Sequence, residues 1–158
     1  MKKIIFLEFF LNSKKWNNKS VEITKLSNKT AKIMKPFFNN KYQYNVNLVL
    51  SYKNEVKKLN RRYKNNNKDT DVLTFISETY NKKLKKIVCC DLFFSIDTIE
   101  KFINKNKISF YDHFNHLLVH SFLHINGFKH DNNKNYEIMK KKEIEILKKL
   151  GINNPYII

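Results

Sequence analysis

The chain has 158 residues and a mass of 19.1 kDa, and its 31 Lys and Arg residues against 14 Asp and Glu give a net charge of +17. This size suits one compact domain, so we predict a single domain over residues 1–158. The two cysteines, Cys89 and Cys90, have no second pair at zinc-finger spacing, which disfavours them as metal ligands. They also argue against an intrachain disulfide, because neighbouring residues on a strand point to opposite faces.

The positive charge predicts a polyanionic partner such as RNA. The alternative is a genome rich in A and T, because Lys, Asn, Ile, Phe and Tyr all have codons made only of those bases. That bias explains the preference for Lys over Arg, but it does not explain the shortage of acidic residues.

The first apolar run, residues 4–11, is interrupted by Glu8 and is about half as long as the roughly 20 residues that cross a bilayer. We therefore predict a buried strand and no membrane association. No small-residue cleavage site follows it, so we expect no secretory signal and a cytoplasmic location.

The next elements alternate between helix and strand. Residues 21–37 have apolar side chains at helical spacing and end at Pro36, which predicts a helix. Residues 42–51 alternate apolar and polar side chains, the pattern of a half-buried strand. Residues 54–63 form a short amphipathic pattern with a basic outer face, which predicts a second helix.

The second half of the chain begins with two β-rich runs, residues 71–77 and 86–95, which we predict as neighbouring strands on either side of a charged connection. Three helices are predicted after them, the first capped by Ser95 and the others ended by Gly127 and Gly151. These helices span residues 95–106, 109–127 and 134–151. The order of the elements predicts an α+β domain with a mixed sheet.

Four of the five histidines lie between residues 116 and 130. His120 and His124 are four residues apart on a predicted helix, so both rings leave the same face and can share one ion. Gly127 ends that helix and turns the chain, and His130 follows three residues later. The spacing His-x3-His-x2-Gly-x2-His is that of the long metzincin zinc signature. Three histidines with a fourth position open to water form a catalytic zinc site, so we predict one Zn²⁺ per chain on these three residues.

Other interpretations of the histidines remain. An isolated pair four residues apart is more often packed or exposed than bound to metal, and Gly127 and the third histidine are what favour a metal here. In the metzincin proteases a glutamate follows the first histidine and acts as the general base. Ser121 stands there instead, so a metalloprotease is disfavoured. We expect His116, one turn before His120, to orient a ligand, contact substrate or support a metal ligand from behind, and we expect His113 to be a surface residue.

The stretch HSFLHINGFKH from His120 resembles the signature His-Gly-x-Leu-His-Leu-x-Gly-Tyr-Asp-His of the YbeY family of bacterial rRNA maturation endoribonucleases. LNRRYKNNNKDTDVLTF, CCDLFFS and NNPYI resemble further blocks of the family in the same order, so the resemblance covers the chain from about residue 42. It implies a zincin-like fold with the metal-bearing helix in the C-terminal half. It also implies a zinc-dependent endoribonuclease specific for single strands that acts on the 3′ end of 16S rRNA and in ribosome quality control. The implied partners are precursor rRNA and ribosomal or small-subunit proteins, and no DNA is expected.

The chain departs from the family signature at three positions. Ser121 replaces a glycine, and Lys129 replaces the aspartate before the last histidine, with Asp131 just after that histidine. Lys64 aligns with a functional arginine of the family, and Arg62 is the alternative two residues earlier. Lysine keeps the charge but loses the two-pronged contact with phosphate.

These departures leave two functions and several catalytic roles open. Lys64 or Arg62 is expected to balance the charge that develops on the phosphate. The general base is left open among Asp131, His116 and attack by the RNA 2′-hydroxyl. The alternative function is an RNA-binding ribosome assembly factor with weak or lost cleavage, in which Asp131 or a cysteine closes a structural zinc site.

Overall fold

The computed structural model describes residues 2–157 and contains the predicted order of elements. The strands are β1 (Ile5–Leu11), β2 (Gln43–Ser51), β3 (Val72–Tyr80) and β4 (Lys86–Ser95). The helices are α1 (Ser20–Met34), α2 (Lys53–Lys64), α3 (Ile96–Asn106), α4 (Phe110–Ile125) and α5 (Asn133–Lys149). Short 3-10 turns at Lys14–Trp16 and Lys35–Phe37 precede and follow α1, and the second contains Pro36.

The four strands form one mixed sheet in the order β1-β2-β4-β3. β1, β2 and β4 are parallel, and β3 pairs antiparallel with β4 at the edge. The predicted α+β domain with a mixed sheet is therefore confirmed.

The β3–β4 connection is shorter than predicted, because β3 continues to Tyr80 and the chain turns within residues 81–85. The Asn81 side-chain oxygen accepts hydrogen bonds from the backbone N–H groups of Lys83 and Lys85, both at 2.9 Å. The second half of β3 is exposed at the sheet edge. Exposed residues do not alternate between apolar and polar, so the apolar pattern that predicted this strand ended at residue 77, before the strand itself ends at Tyr80.

One face of the sheet forms the core. Alternate residues of β2 and β4, such as Leu48 and Leu92, are fully buried there. Helix α4 covers this face with residues such as Phe114 and Phe122, and α1, α3 and α5 pack around it. Phe94 and Phe114 bring their ring centroids within 4.5 Å of each other. The helix that carries His120 and His124 is therefore also the central helix of the domain.

The serine that departs from the family signature is accommodated in this packing. Ser121 is fully buried on α4, and the Thr74 hydroxyl of β3 donates a hydrogen bond to its Oγ at 3.1 Å. A buried hydroxyl with a partner carries little cost. The substitution therefore connects α4 to β3 and leaves the helix intact.

Two remaining expectations concern the cysteines and membranes. Cys89 and Cys90 are both free thiols on β4, as predicted, and burial raises the pKa of Cys90 to about 12. Within residues 2–157, none of the helices has both the length and the apolar composition that a bilayer crossing needs.

Candidate metal centre

The end of α4 brings three histidines together. His120 and His124 lie one turn apart on the helix, and Gly127 takes a φ of +88°, which favours glycine. The backbone N–H groups of Gly127 and Phe128 bond to the carbonyls of His124 and Leu123, both at 3.0 Å, and close the helix end. The reversed chain then delivers His130. One nitrogen from each histidine lies within 4.8 Å of the other two.

Hydrogen bonds fix which nitrogens of the first two histidines face each other. The Nδ1 of His120 lies 2.8 Å from a Glu143 carboxylate oxygen, and the Nδ1 of His124 lies 3.0 Å from the carbonyl oxygen of Phe128. Both partners accept, so each Nδ1 carries a proton, and in the neutral ring the lone pair is then on Nε2. The two Nε2 atoms are 3.0 Å apart.

This arrangement fits a metal ion. Two lone pairs facing each other at that distance repel unless a cation lies between them. Two nitrogens bound to one tetrahedral zinc ion at its usual bond length stand about 3.3 Å apart, which is close to the observed separation. Burial, with His120 and His130 nearby, lowers the pKa of His124 to about 4. His124 is therefore neutral near pH 7, the form that binds metal.

Glu143 on α5 is the central residue of the network behind the histidines, and the sequence motifs did not include it. It is 1% exposed, and its Oε1 lies 2.5 Å from His116 Nε2 and 2.6 Å from the Tyr156 hydroxyl. Its Oε2 accepts from His120. Burial alone raises the pKa of Glu143, but the three hydrogen bonds outweigh this effect and lower it to about 2. A carboxylate on the far nitrogen of a ligating histidine fixes the ring and makes it a better ligand.

The sequence does contain a signal for Glu143. It lies on the buried stripe of α5 with Met139, Ile146 and Leu147. A single acidic residue on an apolar helix face needs a buried partner, and so it marks a network.

Tyr156 attaches the C-terminal segment to this network. Its hydroxyl donates to Glu143, and its ring packs edge-on against His116 with centroids 5.5 Å apart. Burial and the Glu143 carboxylate raise the pKa of Tyr156 well above its usual range, so the hydroxyl remains a donor. The NNPYI segment therefore forms part of the wall around the histidines.

A groove of about 1350 Å³ runs over the histidines. His116 and Lys64 both line it, as does Lys129. Lys64 ends α2 and holds its ammonium 5.2 Å from the centre of the Phe75 ring. Arg62 lies outside the lining and packs over the Tyr63 ring at 5.3 Å. The structure therefore brings Lys64, but not Arg62, to the groove of the histidines.

Neither Asp131 nor a cysteine joins the three histidines in the group of converging ligand atoms found among the described residues. The carboxylate of Asp131 accepts a hydrogen bond from the Asn135 side chain at 2.8 Å, and this bond is the main cause of the lowered pKa of Asp131. Asp131 is exposed and does not line the groove. Within residues 2–157, the group of possible metal ligands consists of His120, His124 and His130 alone.

The prediction that His113 is a surface residue is wrong. His113 is 5% exposed, its Nε2 lies 3.1 Å from an Asp71 carboxylate oxygen, and its ring stacks on Phe102. Helix α3 packs against this side of α4. A central helix is covered on several sides, so its periodicity does not identify a solvent-facing side.

The site and fold define a mixed α+β domain with a three-histidine group in a basic groove, and comparisons with known proteins agree. The family model described as Endoribonuclease YbeY matches residues 10–151. The chain is 33% identical to the endoribonuclease YbeY of Ehrlichia chaffeensis, over 96% of this chain and 97% of the relative. It is 30% identical to that of Bartonella quintana, over 97% and 98%. The chain belongs to the YbeY family of endoribonucleases, for which RNA is the substrate.

A solved structure also resembles the fold. The solution structure of TM1509 from Thermotoga maritima matches with a TM-score of 0.56 at 21% identity, over 93% of this chain and 91% of that one. This similarity supports the arrangement of the strands and helices.

Proposed function

We propose that the chain is a zinc-dependent endoribonuclease that cleaves single-stranded RNA, with the metal on His120, His124 and His130. The observation that carries this proposal is the convergence of the three nitrogens, with no fourth protein ligand among residues 2–157. A site with three protein ligands has room for water, whereas a structural zinc site is normally closed by four. This favours the enzyme over the assembly factor with a structural zinc site.

Zinc bound there would lower the pKa of a water molecule to about 7 and polarise a phosphoryl oxygen. The residues of the chain supply the rest of the chemistry. Lys64 presents a positive charge in the groove, where it would stabilise the charge that develops on the phosphate. Lysine makes this contact as a point charge, without the fork of arginine.

We assign the proton-accepting role to His116. Its Nε2 donates to the Glu143 carboxylate, so in the neutral ring Nδ1 is the nitrogen whose lone pair can accept a proton. His116 lines the groove, whereas Asp131 is exposed outside it. This geometry favours His116 over Asp131 as the general base.

The biological context follows from the family. We propose that the substrate is precursor rRNA, with the 3′ end of 16S rRNA as the processed end, and that the protein acts in ribosome quality control in the cytoplasm. Small-subunit proteins are the proposed protein partners. The net charge of +17 supports attraction to RNA phosphates, a contribution that salt would weaken.

The test is cleavage of a single-stranded RNA, with zinc content determined on the same protein sample. We expect His124→Ala to lose zinc and cleavage together, and Asp131→Ala to keep both. Cleavage that persists in His124→Ala after the zinc is lost would overturn the zinc mechanism. A wild-type protein that binds zinc and RNA without cleaving would instead support the assembly factor.

A further inference from the structure

Phe102 is an aromatic side chain at the edge of the same groove, outside the metal network. It lies on α3, whose buried residues Ile96 and Ile99 face the core. Phe102 is 40% exposed and lines the groove. A large apolar side chain half in solvent beside a candidate active site can serve as a contact for a ligand.

One face of the Phe102 ring packs against the protein. His113 stacks on it with centroids 4.4 Å apart and an interplanar angle of 18°. His113 is itself fixed by the carboxylate of Asp71 at 3.1 Å, and the Asp71 carbonyl accepts a hydrogen bond from the Ser95 N–H at 2.9 Å. One face of Phe102 is therefore covered, and the exposed part of the ring is available to the groove.

The groove around this ring is basic. Lys64, Lys107 and Lys129 all line it, and Asp71, which lines it too, is paired with His113. Asp112 also lines the groove. Ammonium groups attract phosphates, and an aromatic face stacks on bases of any sequence. The lysines can therefore attract the phosphate of an unpaired nucleotide, and the Phe102 ring can stack on its base.

We propose that Phe102, backed by His113, is a stacking platform for one unpaired nucleobase of the bound RNA. This inference rests on the proposed function and extends it to a substrate subsite. His113 and His120 are seven residues apart on α4, which is about 10 Å along the helix axis. A stacked strand rises about 3.4 Å per nucleotide, so the base on the platform lies about three nucleotides from the metal histidines, or fewer in an extended strand.

The test measures binding separately from cleavage. The probe is a short, fluorescently labelled 2′-O-methyl RNA of unpaired sequence, checked to be intact after the titration with the full-length, metal-loaded protein. Stacking of one base corresponds to about 5- to 150-fold in affinity, so we expect Phe102→Leu to weaken binding by a factor in this range. The slope of affinity against salt should not change, because no phosphate contact is removed.

The chain offers a matched control in Phe6. It is 39% exposed, nearly the same as Phe102, but it lies on the edge strand β1 outside the groove. We expect Phe6→Leu to bind the probe as the wild type does. Equal losses in the two variants would refute the platform.

A series of probes, each with one abasic position, locates the contact. In the wild-type protein we expect affinity to fall chiefly at one position, and in Phe102→Leu that position should cause no further loss. Equal sensitivity at all positions, or a Phe102→Leu variant that binds as the wild type does, would overturn the proposal.

A second variant guards against misfolding. Phe102→Trp keeps an aromatic face, so it should retain affinity, and its fluorescence should be quenched by the intact probe but not by the probe abasic at the located position. Trp16, the only tryptophan in the sequence, is fully buried and supplies a constant background. Absence of this difference would count against stacking.

The two proposals fail in different ways. A protein that cleaves RNA but shows no effect of Phe102→Leu keeps the nuclease and loses the platform. A protein that shows the position-dependent loss but does not cleave keeps the platform and loses the nuclease.

Discussion

Replacing Glu143 by glutamine tests whether the buried carboxylate sets the metal affinity. The carboxylate accepts hydrogen bonds from His116, His120 and Tyr156. Glutamine has nearly the same shape, but it offers one acceptor oxygen and an NH₂ group that can only donate. At least one of the three donors must then face another donor, and the negative charge behind His120 is lost.

The expected loss can be estimated from these contacts. Removing a carboxylate that supports a metal-ligating histidine typically lowers metal affinity about 10- to 100-fold, which is about 1.4–2.7 kcal/mol. Hydrogen bonds to charged groups contribute about 1.5–3 kcal/mol each, so we expect the metal-free variant to lose about 2–4 kcal/mol of unfolding free energy.

Zinc competition with a chromophoric chelator measures the first loss, and urea unfolding of the chelator-treated protein measures the second. Glu145→Gln is the matched control, because Glu145 is on the same helix but is exposed and forms an ion pair with Lys142, 3.5 Å away. An exposed pair of this kind contributes about 0–1 kcal/mol. If Glu143→Gln binds zinc as tightly as Glu145→Gln, Glu143 does not support the metal site.

Three further predictions concern the groove and the network. Tyr156→Phe removes one of the three donors to Glu143, so we expect zinc affinity to fall by less than in Glu143→Gln; an equal or larger fall, measured in the same competition assay, would contradict this order. Lys64→Ala should slow RNA cleavage about 10- to 100-fold without changing zinc content, whereas Arg62→Ala should leave the rate near that of the wild type; the reverse result would assign the phosphate contact to Arg62. The pKa of His124 is about 4 in the folded protein, against 6.5 ordinarily, so the unfolded chain binds a proton more readily and acid favours unfolding. The contribution of His124 to the stability of the metal-free protein is therefore complete above pH 6.5 and is lost as pH falls toward 4. Urea unfolding of wild type and His124→Ala over this pH range should show a shrinking difference, and a constant difference would contradict the prediction.

The elements and the histidine triad were predictable because each has a short-range signal. Apolar side chains at spacings of two or three to four residues mark strands and helices that bury one face. His120, His124 and His130 are joined by one helix turn and one glycine turn, so their convergence follows from local geometry. The antiparallel placement of β3 at the sheet edge could not be predicted from the apolar pattern of this strand, because half of the strand is exposed.

The partners of the histidines were not predictable in the same way. His116 and Glu143 are 27 residues apart, and they meet only because α5 packs against α4. His113 is buried because α3 covers it, which depends on the packing of α3 and not on the sequence of α4. A sequence indicates such a long-range polar contact only where a polar residue interrupts the apolar face of a helix, as Glu143 does on α5.

The two walls of the groove come from different parts of the chain. The three histidines, Glu143 and Tyr156 all lie within residues 120–156, whereas Lys64 and Phe102 come from earlier segments. Lys64 belongs to the proposed chemistry although it comes from α2, whereas Phe102 lies outside both the histidine network and that chemistry. Substitutions at Phe102 should therefore change how tightly RNA is held without touching the histidine network. The same separation makes Lys64 and the α4–α5 segment the parts to keep, and the α3 wall the part to exchange, in an effort to redirect the protein to another RNA.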